Sequence, residues 1–319
     1  MNKNSICAII TTFNRKNKLI ECIQSIINQT YKPDCLLIID NFSTDGTEKL
    51  ISEIENEIRK SIKLIYKRLS ENTGGAGGFH YGIKEAYEQG FEFFWVMDDD
   101  GKPDKNCLEK LIQYKDKADI IGPLVLNPDN VEELTFGIGK NFSFQNLKRI
   151  LKQPKQSYKT VKEIKQDNPE GIVYNSANLF NGILISRKVV EKISLPMKEL
   201  FIWGDETEYL FRALKNNIKV ITVIDALFYH PKRKEEEITK LFGKYVIFEK
   251  VSKLQKYCYF RNMAYIGKKY SLPFFIRHFF KYTLFYIFNI RFSDFLFFLS
   301  STIDGFLERW GKEKRYLKS

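Results

Sequence analysis

The stretch Phe93-Phe94-Trp95-Val96-Met97-Asp98-Asp99-Asp100 joins a run of bulky apolar residues to three carboxylates. A strand made of such residues is buried, and a charge left deep inside it would be expensive. The aspartates therefore belong where the strand leaves its sheet and meets a pocket. Carboxylates crowded there raise one another's pKa unless a cation sits between them. Two oxygen ligands on a loop, with room for water and a diphosphate, suit Mg2+ or Mn2+. The competing reading of three aspartates alone is a solvated acidic turn.

Upstream of this stretch, residues 6–12 (ICAIITT), 35–40 (CLLIID) and 62–67 read as strands, and 92–97 is the fourth. Between them, Asn14–Gln29 has helical spacing, with Leu19, Ile20, Ile23, Ile26 and Ile27 on one face. Thr47–Lys60 and Phe79–Gln89 also read as helices. Strand and helix alternate through short connections, which predicts an α/β fold: a mostly parallel sheet flanked by helices. In such sheets the ligand crevice lies beyond the carboxyl ends of the strands. Thr11–Arg15, Asp40, Asn72–Gly78 and Asp98–Asp100 all fall at those ends.

Downstream, residues 127–170 are polar and rich in Lys, Gln and Asn, and read as an insertion or flexible flap. Residues 172–185 resume strand character, interrupted by Asn175–Asn178 and Asn181-Gly182. A helix is expected over Thr207–Asn216, and a strand over Val220–Tyr229 that ends at His230-Pro231. The expected organisation is a domain over 1–231 and a C-terminal region over 232–319.

With 319 residues and 44% hydrophobic content, the chain can build a sizeable core and is not globally disordered. Five cysteines, odd in number and without CxxC spacing, argue against a disulfide framework or zinc site and suit a reducing cytosol. The start reads as a strand and not as a signal peptide. The net charge is +12, and its placement is uneven. Residues 231–319 hold 19 Lys and Arg against 8 Asp and Glu, so the tail carries nearly all the excess. A basic tail suggests a polyanionic partner. Residues 271–300 contain 12 Phe and Tyr, interrupted by Arg277, Lys281 and Arg291. The uncharged stretches are too short to span a bilayer, which needs about 20 residues. Two readings of this region stand: helices lying in the headgroup plane of an anionic membrane surface, or a helical core or contact between copies in a homo-oligomer. Nucleic acid is not expected as the partner, because the tail lacks zinc spacing and RNP-like motifs.

Three further groups carry chemistry. The run Asn72-Thr73-Gly74-Gly75-Ala76-Gly77-Gly78 precedes a helix, where backbone N–H groups and the helix start favour anions. Asp205 and Glu206 follow Trp203-Gly204. A carboxylate beside an aromatic can accept a proton, and the indole of Trp203 offers a flat face to a sugar. An N-cap is the competing role for the acid, and Glu208 is expected on the helix surface. His230 ends a strand of the same sheet and could join the aspartates, since manganese accepts mixed oxygen and imidazole ligands. His80 and His278 have no such context.

Taken in order, Ala8–Arg15 (AIITTFNR), Ile38–Thr47 (IIDNFSTDGT), Asn72–Phe79 (NTGGAGGF), Trp95–Asp100 (WVMDDD), Phe201–Ala213 (FIWGDETEYLFRA) and Phe228–Pro231 (FYHP) resemble glycosyltransferase family 2 with the GT-A fold. The motifs are most similar to those of bacterial galactofuranosyltransferases, and related rhamnosyltransferases share most of them. Tyr257–Asn262 resembles a YYxxRN segment of that branch, with Cys258 in place of a Tyr.

The resemblance implies an inverting, metal-dependent transfer of a sugar from a nucleoside diphosphate, best UDP-galactofuranose, to a glycan or polyprenyl-diphosphate-linked acceptor. A dTDP-rhamnose or other UDP-hexose donor, or a non-catalytic sugar-nucleotide scaffold, are the alternatives. The implied place is the cytoplasmic face of the cell membrane. Thr12, Asn14, Arg15 and Asp40 would hold base and ribose. Asn72, Gly74, Gly75, Gly77, Gly78 and Asp99 would line the donor site. Asp98, Asp100 and His230 would hold Mn2+ or Mg2+. Asp205 would be the base, with Trp203, Glu206 and Arg261 contacting sugar or acceptor. Phe42 departs from the pattern, standing where a Gly is usual, which predicts a differently shaped base-binding loop.

Overall fold

The computed structural model describes residues 4–140, 157–232, 238–241, 245–248 and 251–317. The chain divides into two compact units. The first comprises Met1–Phe144, Lys155–Lys198 and Tyr209–Lys232; the second comprises Gln145–Pro154, Glu199–Glu208 and Arg233–Ser319. The second unit thus takes in a short segment, Glu199–Glu208, from the stretch expected to belong to the N-terminal domain.

In the first unit β1 (Ile6–Thr12), α1 (Lys16–Ile27), β2 (Cys35–Asp40), α2 (Thr47–Arg59), β3 (Lys63–Arg68), α3 (Gly74–Glu88) and β4 (Phe93–Asp98) alternate as expected. Their strands pair in parallel in the order β3-β2-β1-β4, with Thr12 opposite Asp40 and Thr11 opposite Asp98. Side chains of successive strand residues point to opposite faces. Ala8, Ile10, Trp95 and Met97 pack under Leu19 and Ile23 of α1. Ile9, Phe94 and Val96 pack against Phe79 and Ile83 of α3. Both faces of β1, β2 and β4 are covered, which is why those three read as unbroken apolar runs, whereas the edge strand β3 is partly exposed.

Beyond β4 come β5 (Lys102–Pro103), α4 (Cys107–Ile112), β6 (Ile120–Asn127), β7 (Asn130–Gly139), β8 (Ser157–Thr160), α5 (Val161–Asp167), β9 (Ile172–Tyr174), β10 (Asn181–Ser186), α6 (Arg187–Ile193), α7 (Asp205–Lys215) and β11 (Val220–Tyr229). This half of the sheet is mixed: β10 lies antiparallel between β4 and β6, whereas β6 and β11 are parallel. The expectation of a mostly parallel sheet therefore holds for the first four strands and is corrected for the rest. Within the expected flap, residues 141–156 lie outside the described residues. Around them β7 pairs with β6 and β8, and Leu134, Ile138, Tyr158 and Ile164 are buried together.

The second unit contains the strand pair β12 (Ile238–Leu241) and β13 (Tyr245–Phe248), three helices, α8 (Lys253–Tyr270), α9 (Leu272–Phe288) and α10 (Phe292–Phe306), and a 3-10 turn at Lys312–Tyr316. Ser252 and Gln255 close a reciprocal capping box at the start of α8. Phe260 of α8, Tyr282, Phe285 and Tyr286 of α9 and Phe298 of α10 form an aromatic core. Most of the charged stretch after His230, residues 233–237, lies outside the described residues. Among the described residues no helix is long and apolar enough to cross a membrane.

Candidate active site

The carboxyl end of β4 and the end of β11 bring the acidic triplet and His230 together in the first unit. One ligand atom from each of Asp98, Asp100 and His230 lies within 4.8 Å of the other two. Ligands bound to one small divalent ion at about 2.1 Å stand at most about 4.2 Å apart, so the three groups are close to a coordination sphere. His230 Nε2 is 3.1 Å from Asp100 Oδ1, a buried oxygen that no well-directed hydrogen bond satisfies. Two carboxylates converging with an imidazole nitrogen are a donor set that fits Mn2+ or Mg2+. The ring is held by its Nδ1, 2.8 Å from the Pro231 carbonyl, and by the Phe136 ring at 5.1 Å.

Electrostatics separate the three acids. Burial raises the pKa of Asp99 to about 6, against the opposing pull of Arg15 and Thr12. Burial also acts to raise Asp100, but His230 and Arg15 outweigh it and hold that carboxyl below the usual range. Burial acts to lower His230, and Asp100 overrides it, so the imidazole is raised. Thr12 donates to Asp99 Oδ2 at 2.7 Å. Arg15 Nη1 reaches Asp99 Oδ1 at 3.2 Å and Asp100 Oδ2 at 2.7 Å. The guanidinium partly neutralises the triplet.

The loops after β1 and β2 are laced together. Asn14 Oδ1 accepts from Thr44 N at 2.7 Å, and Asn14 N donates to Ser43 Oγ at 2.9 Å. Asp40 is fully buried; its oxygens accept from Ser43 N at 2.8 Å and from the Tyr66 hydroxyl at 2.5 Å. Asp40 therefore shapes the turn that follows it. Phe42 has a left-handed backbone, at φ 71°, and Arg68 covers its ring at 4.5 Å. A φ in this region strains any residue with a Cβ, and Phe42 bears that strain in this loop.

The Gly-rich segment is also corrected, because α3 begins at Gly74 and not near Phe79. Asn72 Oδ1 accepts from Gly74 N at 2.8 Å and shapes the entry. Gly77 and Gly78 are buried, and a Cβ there would strike Thr73 and Thr11. Gly78 allows α3 to sit close on β1, and Gly77 leaves room for the Thr73 side chain at the start of the helix. Sequence reasoning missed Asn41. It is buried, donates to the Gly74 carbonyl at 2.7 Å and accepts from Thr73 N at 2.8 Å. Its signal was its place next to Asp40 at a strand's carboxyl end.

In the second unit the segment before α7 is unusual. Phe201 and Trp203 have φ of 63° and 61°, and Gly204 has 101°. Asn262 Nδ2 clamps this bend, reaching the carbonyls of Leu200 at 2.8 Å, Ile202 at 3.0 Å and Trp203 at 2.6 Å. Arg261 Nη2 donates to the carbonyls of Glu199 at 3.0 Å and Leu200 at 2.9 Å, and Nη1 pairs with Glu313. Arg261 is 0% exposed. It cannot touch an acceptor in this structure and supports the bend instead. The Trp203 ring stands edge-on to Tyr259 at 5.9 Å. Asp205 and Glu206 open α7, two residues earlier than expected, with Asp205 buried and Glu206 half-buried. Glu208 is not on the helix surface: it is 0% exposed and accepts from the Tyr270 hydroxyl at 2.6 Å and Lys269 at 3.3 Å.

A parallel nucleotide-binding-type half joined to a mixed half, with an Asp-Asp-His cluster at the strand ends, is the GT-A glycosyltransferase fold. Residues 7–162, just under half of the chain, match the profile described as "Glycosyl transferase family 2". Over 264 residues, 82% of each chain, it is 25% identical to the galactofuranosyltransferase GlfT1 of Mycolicibacterium smegmatis. It is 24% identical over 233 residues to the dTDP-rhamnosyl transferase RfbF of Shigella flexneri, covering 72% of this chain and 70% of that one. S. aureus TarS 1–349, solved with UDP-GlcNAc, shares the fold at a TM-score of 0.59 and 16% identity, over 94% of this chain and 81% of that one.

Proposed function

We propose that this family 2 glycosyltransferase moves galactofuranose from its UDP donor to a hydroxyl of a glycan or polyprenyl-diphosphate-linked glycan, with inversion. The place proposed is the cytoplasmic face of the cell membrane. The observation that carries the reading is the convergence of Asp98, Asp100 and His230, one ligand atom from each within 4.8 Å of the other two. Asp98, Asp100 and His230 would hold Mn2+ or Mg2+, which when bound neutralises the charge that grows on the departing nucleoside diphosphate. Arg15, at Asp99 and Asp100, is placed to share that task. Thr12 fixes Asp99, and Asn14 and Asp40 shape the loops proposed to take base and ribose. Asn72 and Gly74 at the start of α3 are proposed on the donor side.

Asp205 takes the proton from the acceptor hydroxyl as that oxygen attacks the anomeric carbon opposite the leaving group. General-base help of this kind is worth about 10²–10⁴-fold. Trp203 offers its ring to the sugar, and Glu206 a hydrogen bond to the acceptor. The galactofuranosyl assignment is supported by the GlfT1 likeness. A dTDP-rhamnose donor is the second reading, supported by the RfbF likeness. The test is a donor screen with and without Mn2+, using UDP-galactofuranose, UDP-galactopyranose, UDP-glucose and dTDP-rhamnose and reading released nucleoside diphosphate. Release from UDP-galactofuranose alone supports the first reading, and release from dTDP-rhamnose alone the second. Donor binding with neither transfer nor hydrolysis would leave a sugar-nucleotide scaffold.

A further inference from the structure

Helices α9 and α10 are apolar on two opposite faces. The inner face is accounted for: Tyr282 and Phe298 meet Phe260 of α8 at ring distances of 4.8 and 4.9 Å. The outer face is not. On α9, Leu272, Ile276, Phe280 and Leu284 recur every fourth residue and Phe288 continues the line, all exposed. On α10, Phe292 and Leu296 start a second line that Ile303 and Leu307 extend. Phe280 is 58% exposed, Phe288 64%, Phe292 65%, Leu296 65%, and Ile290 in the connecting turn 76%. Such spacing places each set on one side of its helix. A monomer in water rarely leaves an apolar patch beyond roughly 300–600 Å² uncovered.

The charge around the stripe says what covers it. Arg277 and Lys281 lie one residue beyond Ile276 and Phe280, on the flank of the α9 line, while Arg291 in the turn beside Ile290 is paired with Asp294 at 2.6 Å. The tail from residue 231 holds 19 basic against 8 acidic residues, while the rest of the chain is nearly balanced. Exposed Phe, Ile and Leu edged by long cationic side chains fit the boundary between acyl chains and anionic headgroups. Among the described residues no helix can cross a bilayer, so these helices would lie along it.

We infer that the outer face of α9 and α10 is a docking surface for an anionic phospholipid bilayer, with both helices in the headgroup plane. This goes beyond the transfer reaction and does not depend on it, because lipid binding is read without turnover.

The experiment sediments the full chain with vesicles of phosphatidylcholine alone and with vesicles carrying about one third phosphatidylglycerol. The chain should partition onto the anionic vesicles, less so at high salt. The triple variant Phe280→Ser, Phe288→Ser, Leu296→Ser should bind about tenfold more weakly or worse. A second variant, Phe288→Trp, guards against misfolding of the first. Its added indole should shift to shorter emission wavelength and be quenched by lipid-borne quencher on anionic vesicles. A chain that stays in the supernatant with both vesicle types overturns the inference. So does lipid binding that neither variant reports. A light-scattering dimer that the triple variant returns to monomer, without lipid binding, would give the face to a second copy.

Discussion

Asn262 donates from one amide nitrogen to the Trp203 carbonyl at 2.6 Å, across the bend whose residues Phe201, Trp203 and Gly204 all hold positive φ. Left-handed backbone at two aromatic residues costs of order 1–3 kcal/mol each and persists only where the surroundings enforce it. Asn262 is that enforcement, since it also holds the carbonyls of Leu200 and Ile202.

Replacing it should therefore disturb Trp203 and Asp205 while leaving the donor site, built in the other unit, intact. Asn262→Ala is expected to destabilise the second unit by about 1–3 kcal/mol, the cost of unpaired buried carbonyls. Turnover should fall at least about tenfold with donor affinity unchanged, as read by steady-state kinetics alongside calorimetry with UDP. A parallel loss of UDP affinity would contradict a role confined to the bend.

Arg261 and Glu313 form a buried pair, 0% and 5% exposed. Removing either partner leaves a charge without its counter-ion and should cost about 3–5 kcal/mol, whereas removing both should cost much less. The check is a double-mutant cycle by denaturant unfolding with Arg261→Met, Glu313→Leu and the pair. Additive losses would show that the two residues act separately.

Phe42 gives a prediction of opposite sign. Its φ of 71° suits glycine. Phe42→Gly relieves strain worth about 1–2 kcal/mol and forfeits about 0.5–1 kcal/mol of cation–π contact with Arg68. The variant should be as stable as the parent or slightly more so in thermal melts. A clear loss would mean that the ring's packing outweighs the backbone term.

Strands β1, β2 and β4 were legible because a strand covered on both faces must be apolar throughout, and the boundaries at Ile6–Thr12 and Cys35–Asp40 follow that rule. Asp98, Asp100 and His230 were legible for a related reason, since charged or titratable residues that end such strands have few other places to be. The start of α3 was not, because Gly77 and Gly78 read as a loop when they make room for Thr73 at the helix start and for Thr11 of the sheet. Glu208 was misplaced because nothing local announces Tyr270 and Lys269, sixty residues further on. Arg261 was given to the acceptor because a buried arginine looks the same in sequence as an exposed one; its partner Glu313 follows from the fold alone. The aromatic tail was left between membrane-surface helices and a helical core or oligomer contact; one face of its helices forms a core, and the other is apolar and exposed.

His278 sets an acid limit on the second unit. It is buried, stacked among Tyr259, Phe274 and Tyr282, with Nε2 lacking a hydrogen bond. Burial, with Lys281 adding to it, lowers its pKa well below the ordinary 6.5. Between that lowered value and 6.5 the unfolded chain binds a proton that the folded chain does not. Stability should be flat above about pH 6.5 and fall below it by at most about 1.4 kcal/mol per pH unit from this group. His278→Phe should flatten the fall in melts followed from pH 7 to about pH 5. An unchanged slope would place the acid sensitivity elsewhere.

Calorimetric titration of UDP into the chain, once with Mn2+ and once with chelator, bears most directly on the Asp98–Asp100–His230 centre. The centre predicts at least about tenfold tighter binding with the metal, and loss of that difference in Asp100→Asn and in His230→Ala. Equal affinity with and without the ion in the parent chain would contradict it.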